Sequence, residues 1–254
     1  MGSRGLPAFT PDWAFFLDVD GTLLDFTERP SATRVEPALR RLLRDVIEVT
    51  GGAMALISGR PVVDIDRLFG PPRFCVAGQH GAERRDAAGK LHRHRLPKEK
   101  LRKAGHQLRQ MVAEHPGLVL EDKGMSFALH YRLAPALGAQ VRDVMRGLVE
   151  DLGEEFEMQA GKMVFEIKPG GRDKGTAIAE FMEERPFRER LPVFIGDDLT
   201  DEFGFELINR IGGHSVKVGE GVSAARFRLA DASAVRAWLG KIAGEQRFPE
   251  GASP

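Results

Sequence analysis

The stretch Trp13-Ala14-Phe15-Phe16-Leu17-Asp18-Val19-Asp20-Gly21-Thr22-Leu23 decides the fold. It runs through unbroken apolar residues into carboxylates. A continuous apolar run of this length reads as a strand buried on both faces, as in a parallel sheet covered by helices on both sides. Residues two apart at a strand end project to the same side, so Asp18 and Asp20 are expected to face one pocket. Gly21 then permits a turn that residues with a Cβ resist.

Working outward, Leu39, Leu42, Leu43, Val46 and Ile47 recur at helical spacings in a segment that starts near Glu36. Ala53–Ile57 is a second apolar run and ends at Ser58-Gly59-Arg60-Pro61, where the proline suits the first turn of a helix. Phe74–Ala77 is a third. This β-α-β-α-β order is the mark of a parallel sheet. The pattern changes after Gly81. An amphipathic helix over Lys98–Glu114 precedes two alternating stretches, Leu118–Lys123 and Ser126–Arg132. A helix over Ala136–Glu150 and two more strands, Glu155–Gln159 and Lys162–Lys168, follow. Such alternation is that of half-buried antiparallel strands with helices on one side. Helices and buried strands alternate again from Lys174, with a helix over Gly175–Glu184 and a strand, Val193–Ile195, that ends at Gly196-Asp197-Asp198. A strand near Ser215–Val218 and a helix over Ser233–Ile242 complete the core. The expected organisation is an α/β parallel-sheet core in 12–82 and 167–245, an inserted α+β cap in 83–166, and a flexible tail in 246–254.

The chain has 254 residues, of which 37 are Lys or Arg and 37 Asp or Glu, giving a formal net charge of zero. With 29% charged and 42% hydrophobic residues it is neither a disordered chain nor a basic nucleic-acid binder. A single cysteine, Cys75, leaves no disulfide framework and no cysteine zinc cage. No run approaches the ~18–20 apolar residues of a membrane helix, and Met1–Pro11 lacks the apolar core of a signal peptide. A cytoplasmic monomer without a nucleic-acid or membrane partner is the expectation.

Ligands of open parallel sheets bind beyond the carboxyl ends of the strands. Four polar clusters fall there: Asp18 with Asp20, Ser58 to Arg60, Lys174, and Asp197 with Asp198. Any one of them is as readily an ordinary surface group; four after buried runs form a pattern. Crowded carboxylates repel unless a hard cation neutralises them, and oxygen ligands suit Mg²⁺, which joins carboxylates to a substrate phosphate. A carboxylate is also a covalent nucleophile towards phosphorus, and a neighbouring carboxyl can protonate the leaving oxygen. The inventory fits a Mg²⁺-dependent phosphatase. Gly171–Thr176 lacks the spacing of a phosphate-binding P-loop. The basic helix face of Lys98, Lys100, Arg102, Lys103, His106 and Arg109 reads as solvated.

Asp18-Val19-Asp20-Gly21-Thr22-Leu23, Ser58-Gly59-Arg60, Lys174-Gly175 and Gly196-Asp197-Asp198 resemble the four motifs of the haloacid dehalogenase (HAD) superfamily. That resemblance implies a Rossmannoid core with a C2-type cap. It makes Asp18 the nucleophile, Asp20 the acid and base, and Ser58 and Lys174 the holders of the phosphoryl group. It also implies Mg²⁺ on Asp18, the backbone carbonyl of Asp20, and Asp197, with Asp198 and Asp201 supporting the site. The extended motif Gly196–Glu202, together with Glu121-Asp122-Lys123, His130-Tyr131-Arg132 and Glu166, is similar to the trehalose-6-phosphate phosphatase family. By that resemblance Arg60, Glu121, Lys123, Arg132 and Glu166 bind substrate, the last four holding sugar hydroxyls. From pattern alone, Glu121, Lys123 and Arg132 read first as a solvated cross-strand charge cluster, the usual fate of such residues on an exposed sheet face. A capped phosphatase of another sugar, such as sucrose phosphate, is the alternative. A non-catalytic module is less favoured, because it would be expected to have lost Asp18, Asp20 or Lys174.

Overall fold

A computed structural model describes residues 5–25 and 34–247. In chain order the elements are β1 (Trp13–Asp18), α1 (Pro37–Val49), β2 (Met54–Ile57), α2 (Val62–Phe69), β3 (Cys75–Gly78), β4 (Glu83–Arg85), β5 (Leu91–Arg93) and α3 (Lys98–Glu114). There follow β6 (Val119–Asp122), β7 (Phe127–His130), α4 (Gly138–Leu152), β8 (Phe156–Gly161), β9 (Val164–Pro169) and α5 (Lys174–Met182). The last are β10 (Leu191–Gly196), α6 (Glu202–Arg210), β11 (His214–Val218), β12 (Phe227–Leu229) and α7 (Ala232–Arg247). The chain divides into two compact units, one built from the stretches up to His92 and from Asp173 onward, the other from Arg93–Arg172.

The first unit is organised by β1. Every residue of this strand is buried, and its side chains alternate between two separate apolar clusters. Trp13, Phe15 and Leu17 join the side chains of α1, α2 and α7. Ala14 and Phe16 join those of α5 and α6. A strand covered on both faces can carry no polar residue until it ends, which is why the apolar run is unbroken. The sheet order is β12-β11-β10-β1-β2-β3-β4-β5, parallel from β12 to β3 and antiparallel between β3 and β4. This is the doubly wound α/β architecture expected. The register sets Leu17 beside Ile195 of β10 and Asp18 beside Ile57 of β2. Three strand ends therefore finish level with one another, carrying Asp18, Ser58 and Asp197.

The second unit is a four-stranded sheet, β6-β7-β9-β8, antiparallel throughout. Phe127, Leu129 and Ile167 pack with Leu101, Leu108, Val141, Met145 and Leu148 of α3 and α4. Because side chains alternate along a strand, the intervening residues turn to the other face. There Glu121, Ala128, Glu166 and Gln159 stand in one cross-strand row.

The division differs from the expected 83–166 segment at both ends. β4 and β5 extend the edge of the first sheet, so the change of unit comes at Arg93. β9 runs on to Pro169 and keeps Lys168 with the second unit. Of the expected tail, residues 246–247 continue α7, and 248–254 lie outside the described residues. Among the described residues no helix is long and apolar enough to cross a membrane.

Phe16 is wholly buried, with ring centroids 5.4 Å from Phe187 and 6.0 Å from Phe181. Truncating such a side chain loses its burial and leaves a void. Phe16→Ala is expected to lower the unfolding free energy by about 3–5 kcal/mol, measured by urea titration.

Candidate active site

At the end of β1 the Asp18 carboxylate meets a buried ammonium. Lys174 Nζ donates to Asp18 Oδ1 at 2.7 Å and to Asp201 Oδ1 at 2.7 Å, and stands 3.7 Å from Asp198 Oδ1. Lys174 opens α5, and a capping box fixes where that helix starts. The Asp173 carboxylate accepts from Thr176 N at 2.7 Å, and Asp173 N donates to Thr176 Oγ1 at 3.0 Å. The lysine stem thus leaves the first turn of a firmly anchored helix.

A second group of carboxylates sits on the loop after β10. Asp198 Oδ1 accepts from Thr200 N, Thr200 Oγ1 and Asp201 N, at 2.9, 2.6 and 3.2 Å. Asp201 answers with Oδ2, which accepts from Asp197 N and Asp198 N, both at 2.9 Å. Both Asp201 oxygens are therefore in use, one on the lysine and one on the loop. Two glycines make room. A Cβ at Gly196 would lie 2.2 Å from Asp201 Cγ, and one at Gly21 would lie 2.2 Å from Asp197 Oδ2. Gly21 also takes φ 82°, a conformation that favours glycine. These small residues are what let the carboxylates crowd together.

Asp18, Asp197 and Asp201 offer oxygens that lie within 4.8 Å of one another. Burial pushes the Asp18 carboxyl up to about 7, against the pull of Lys174, and Asp198 and Asp197 push it further. Asp197 rises to about 6, from burial first and then from Asp198 and Asp201. Burial also raises Asp201 well above the ordinary range, against Lys174. For Asp198 burial works upward, but Lys174 and the Thr200 hydroxyl outweigh it and hold it well below that range. Lys174 is held charged by Asp18, Asp201 and Asp198 in spite of its own burial. Four carboxylates against one ammonium leave an excess of negative charge. An all-oxygen cluster with such an excess fits a hard divalent cation.

Ser58 and Arg60 stand beside this cluster. Ser58 is buried, and its Oγ accepts from Arg60 N at 3.0 Å. The Arg60 guanidinium grips both oxygens of Asp20 at 2.6 Å each. Arg60, expected as a substrate ligand, here pairs with Asp20, a carboxylate of the site. In the second unit, Lys123 Nζ lies 2.9 Å from Glu166 Oε1, which also accepts from Ser126 Oγ at 3.1 Å. Glu121 Oε2 is 3.3 Å from His130 Nε2. Glu121, Lys123 and Glu166 thus form one polar group, while Arg132 lies exposed in the turn after β7.

Sequence reading missed two supports of Asp197. Thr22 Oγ1 donates to Asp197 Oδ1 at 3.2 Å, and the buried Lys217 donates to the Asp197 carbonyl oxygen. The signal for Lys217 was a lysine between two valines in the strand Ser215-Val216-Lys217-Val218, expected to belong to the buried sheet. A charge in such a run is kept only where a polar partner awaits it.

A family model described as trehalose-phosphatase matches residues 16–233. The trehalose-6-phosphate phosphatase of Escherichia coli (strain K12) is 46% identical over 239 residues, covering 93% of this chain and 88% of that protein. A crystal structure described as a trehalose-6-phosphate phosphatase related protein superposes with a TM-score of 0.76 at 27% identity, covering 92% of this chain and all of that one. A HAD-superfamily phosphatase from Bacteroides thetaiotaomicron shares the fold, with a TM-score of 0.61 at 18% identity over 94% of this chain and 99% of that one.

Lys174→Met removes the cation and leaves two buried carboxylates facing each other. Breaking a buried ion pair on one side is expected to cost about 3–5 kcal/mol of stability, read by urea titration. Lys174→Met with Asp201→Asn should recover part of that loss, since fewer charges are then stranded.

Proposed function

The chain belongs to the trehalose-phosphatase family of phosphoric monoester hydrolases, within the HAD superfamily, and from that premise we propose that it hydrolyses trehalose 6-phosphate through a phosphoryl intermediate on Asp18. The observation that carries this reading is the buried Asp18 carboxylate, held 2.7 Å from Lys174 at the carboxyl end of β1.

The Asp18 carboxylate attacks phosphorus from a fixed rotamer, its approach set by the lysine and by the strand end. Asp20 gives its proton to the departing sugar oxygen as the ester bond breaks. It then takes a proton from the water that attacks the phosphoaspartate; the Asp18–phosphorus bond breaks, Asp18 is regenerated and inorganic phosphate leaves. Lys174 and the Ser58 hydroxyl hold the phosphoryl oxygens, and positioning of this kind supplies most of the catalysis of phosphoryl transfer. Asp18, the Asp20 carbonyl and Asp197 would hold Mg²⁺, with Asp198 and Asp201 framing them. When bound, the ion supplies positive charge between these carboxylates and the phosphate. Glu121, Lys123, Glu166 and Arg132 would receive the sugar hydroxyls. A site built of hydrogen-bonding groups rejects analogues that leave those groups unpaired, which suits a disaccharide ligand.

Asp18→Asn is expected to abolish phosphate release from trehalose 6-phosphate while the far-UV spectrum is unchanged; residual turnover at the parental rate would exclude Asp18 as nucleophile. Mg²⁺ should raise the Tm of the parent protein and not that of Asp197→Asn. Glu166→Gln is expected to lower kcat/KM for trehalose 6-phosphate by about 10- to 200-fold, with little change for 4-nitrophenyl phosphate. Equal losses on both substrates would remove Glu166 from sugar recognition.

A further inference from the structure

Asp20 occupies an unusual position for a group that moves protons. It follows β1 on a turn, its side chain is 36% exposed, and both of its oxygens are held by one arginine 40 residues further along. The arginine is itself built in. Arg60 N donates to Ser58 Oγ at 3.0 Å, and the Arg60 carbonyl accepts from Gln79 N at 3.0 Å. Two residues on, Val62 N donates to the buried Glu83 Oε1 at 2.7 Å. The guanidinium therefore leaves a backbone fixed on three sides, and its fork imposes both distance and plane on the carboxylate it meets. Ion pairs at this exposure contribute little to stability. A bidentate pair of this geometry at the mouth of the site has its effect on orientation.

We infer that Arg60 is a positioning residue that fixes the orientation of the Asp20 carboxyl group towards the water that attacks phospho-Asp18. This rests on the reading of Asp18 as nucleophile and Asp20 as acid and base. In the first half of that reaction the Asp18–phosphorus bond forms, the ester oxygen leaves with the bonding pair, and it takes the proton of Asp20. Asp20 is then charged and must wait for water. Arg60 neither gives nor accepts a proton, because a guanidinium stays charged in proteins. It pairs with the new carboxylate and keeps it from rotating away. Each carboxylate oxygen has two lone pairs, so one remains on each for the proton of the attacking water. Arg60 thereby serves the second half-reaction, the hydrolysis of phospho-Asp18, and not the binding of substrate.

The test uses the full chain with Mg²⁺ and 4-nitrophenyl phosphate, whose leaving group departs without a proton. Phosphorylation of Asp18 then proceeds in every variant, and only hydrolysis depends on Asp20. Arg60→Met is expected to release a rapid burst of nitrophenolate equal to the enzyme present, followed by a kcat reduced about a hundredfold. kcat/KM, which reports phosphorylation, should hardly move, and intact mass should reveal one phosphoryl group on the trapped enzyme. Arg60→Lys, which offers a point charge without the fork, should fall between the two. A substrate-binding role would instead lower kcat/KM without a burst, and that result overturns the inference, as does an Arg60→Met enzyme with parental kcat. Asp20→Asn separates the two levels. If it also gives a burst, the reading of Asp20 stands and Arg60 is judged alone. If it turns over like the parent, the acid and base assignment itself fails.

Discussion

One buried ammonium holds this site together. Lys174 lies almost wholly out of water and binds two carboxylates that come from opposite ends of the chain, Asp18 and Asp201. A charge taken from water is tolerated only when it is paired and fully hydrogen-bonded. The reverse also holds here, since neither carboxylate would stay buried without the lysine. The rest of the site can be derived from this mutual dependence. The capping box places the lysine, the register of β1 with β10 places the two acids, and the glycines at 21 and 196 remove the atoms that would keep them apart.

The lysine balances only part of the charge around it. The formal net charge of the whole chain is zero, yet Asp18, Asp197, Asp198 and Asp201 gather about one cation. Burial first, and then the neighbouring carboxylates, raise the proton affinity of Asp18 and Asp197, and the local excess creates a place for added positive charge. The same principle, applied with less burial, pairs Arg60 with Asp20 and Lys123 with Glu166. In all three pairs a basic group limits the freedom of an acid.

Much of this architecture was legible because β1, β2 and β10 are covered on both faces. Such strands have to be written in apolar residues, and chemistry can begin only where they stop, so Asp18, Ser58 and Asp197 announce themselves. The strand Glu83-Arg84-Arg85 has the opposite character. It consists of three charged residues, all buried, and nothing in its local pattern marks it as part of the core sheet. Its partners are remote: Asp66 and the Phe74 carbonyl for Arg85, Glu180 and Glu184 for Arg84, and the Val62 amide for Glu83. For the same reason the partner of Arg60 could not be foreseen. A motif tells which residue stands at a loop and leaves open which distant carboxylate it meets. Among the sugar-facing candidates, alternation along β6 and β9 identified the face, whereas Arg132, on a turn, has no periodicity to place it.

The central strand of the core is made early and completed late. β1 pairs on one side with β2, only some 40 positions further on, and on the other with β10, whose residues lie beyond position 190. On the ribosome that second edge stays open until three quarters of the protein has been synthesised, and contacts of such long range form slowly. Residues 93–172 carry all the pairings of their own sheet within one continuous stretch. They are complete in sequence while the first unit still lacks three of the eight strands of its sheet. Lys174 comes off the ribosome only after this whole insert, so a chain ending before position 174 lacks the ammonium that pairs with Asp18 and Asp201.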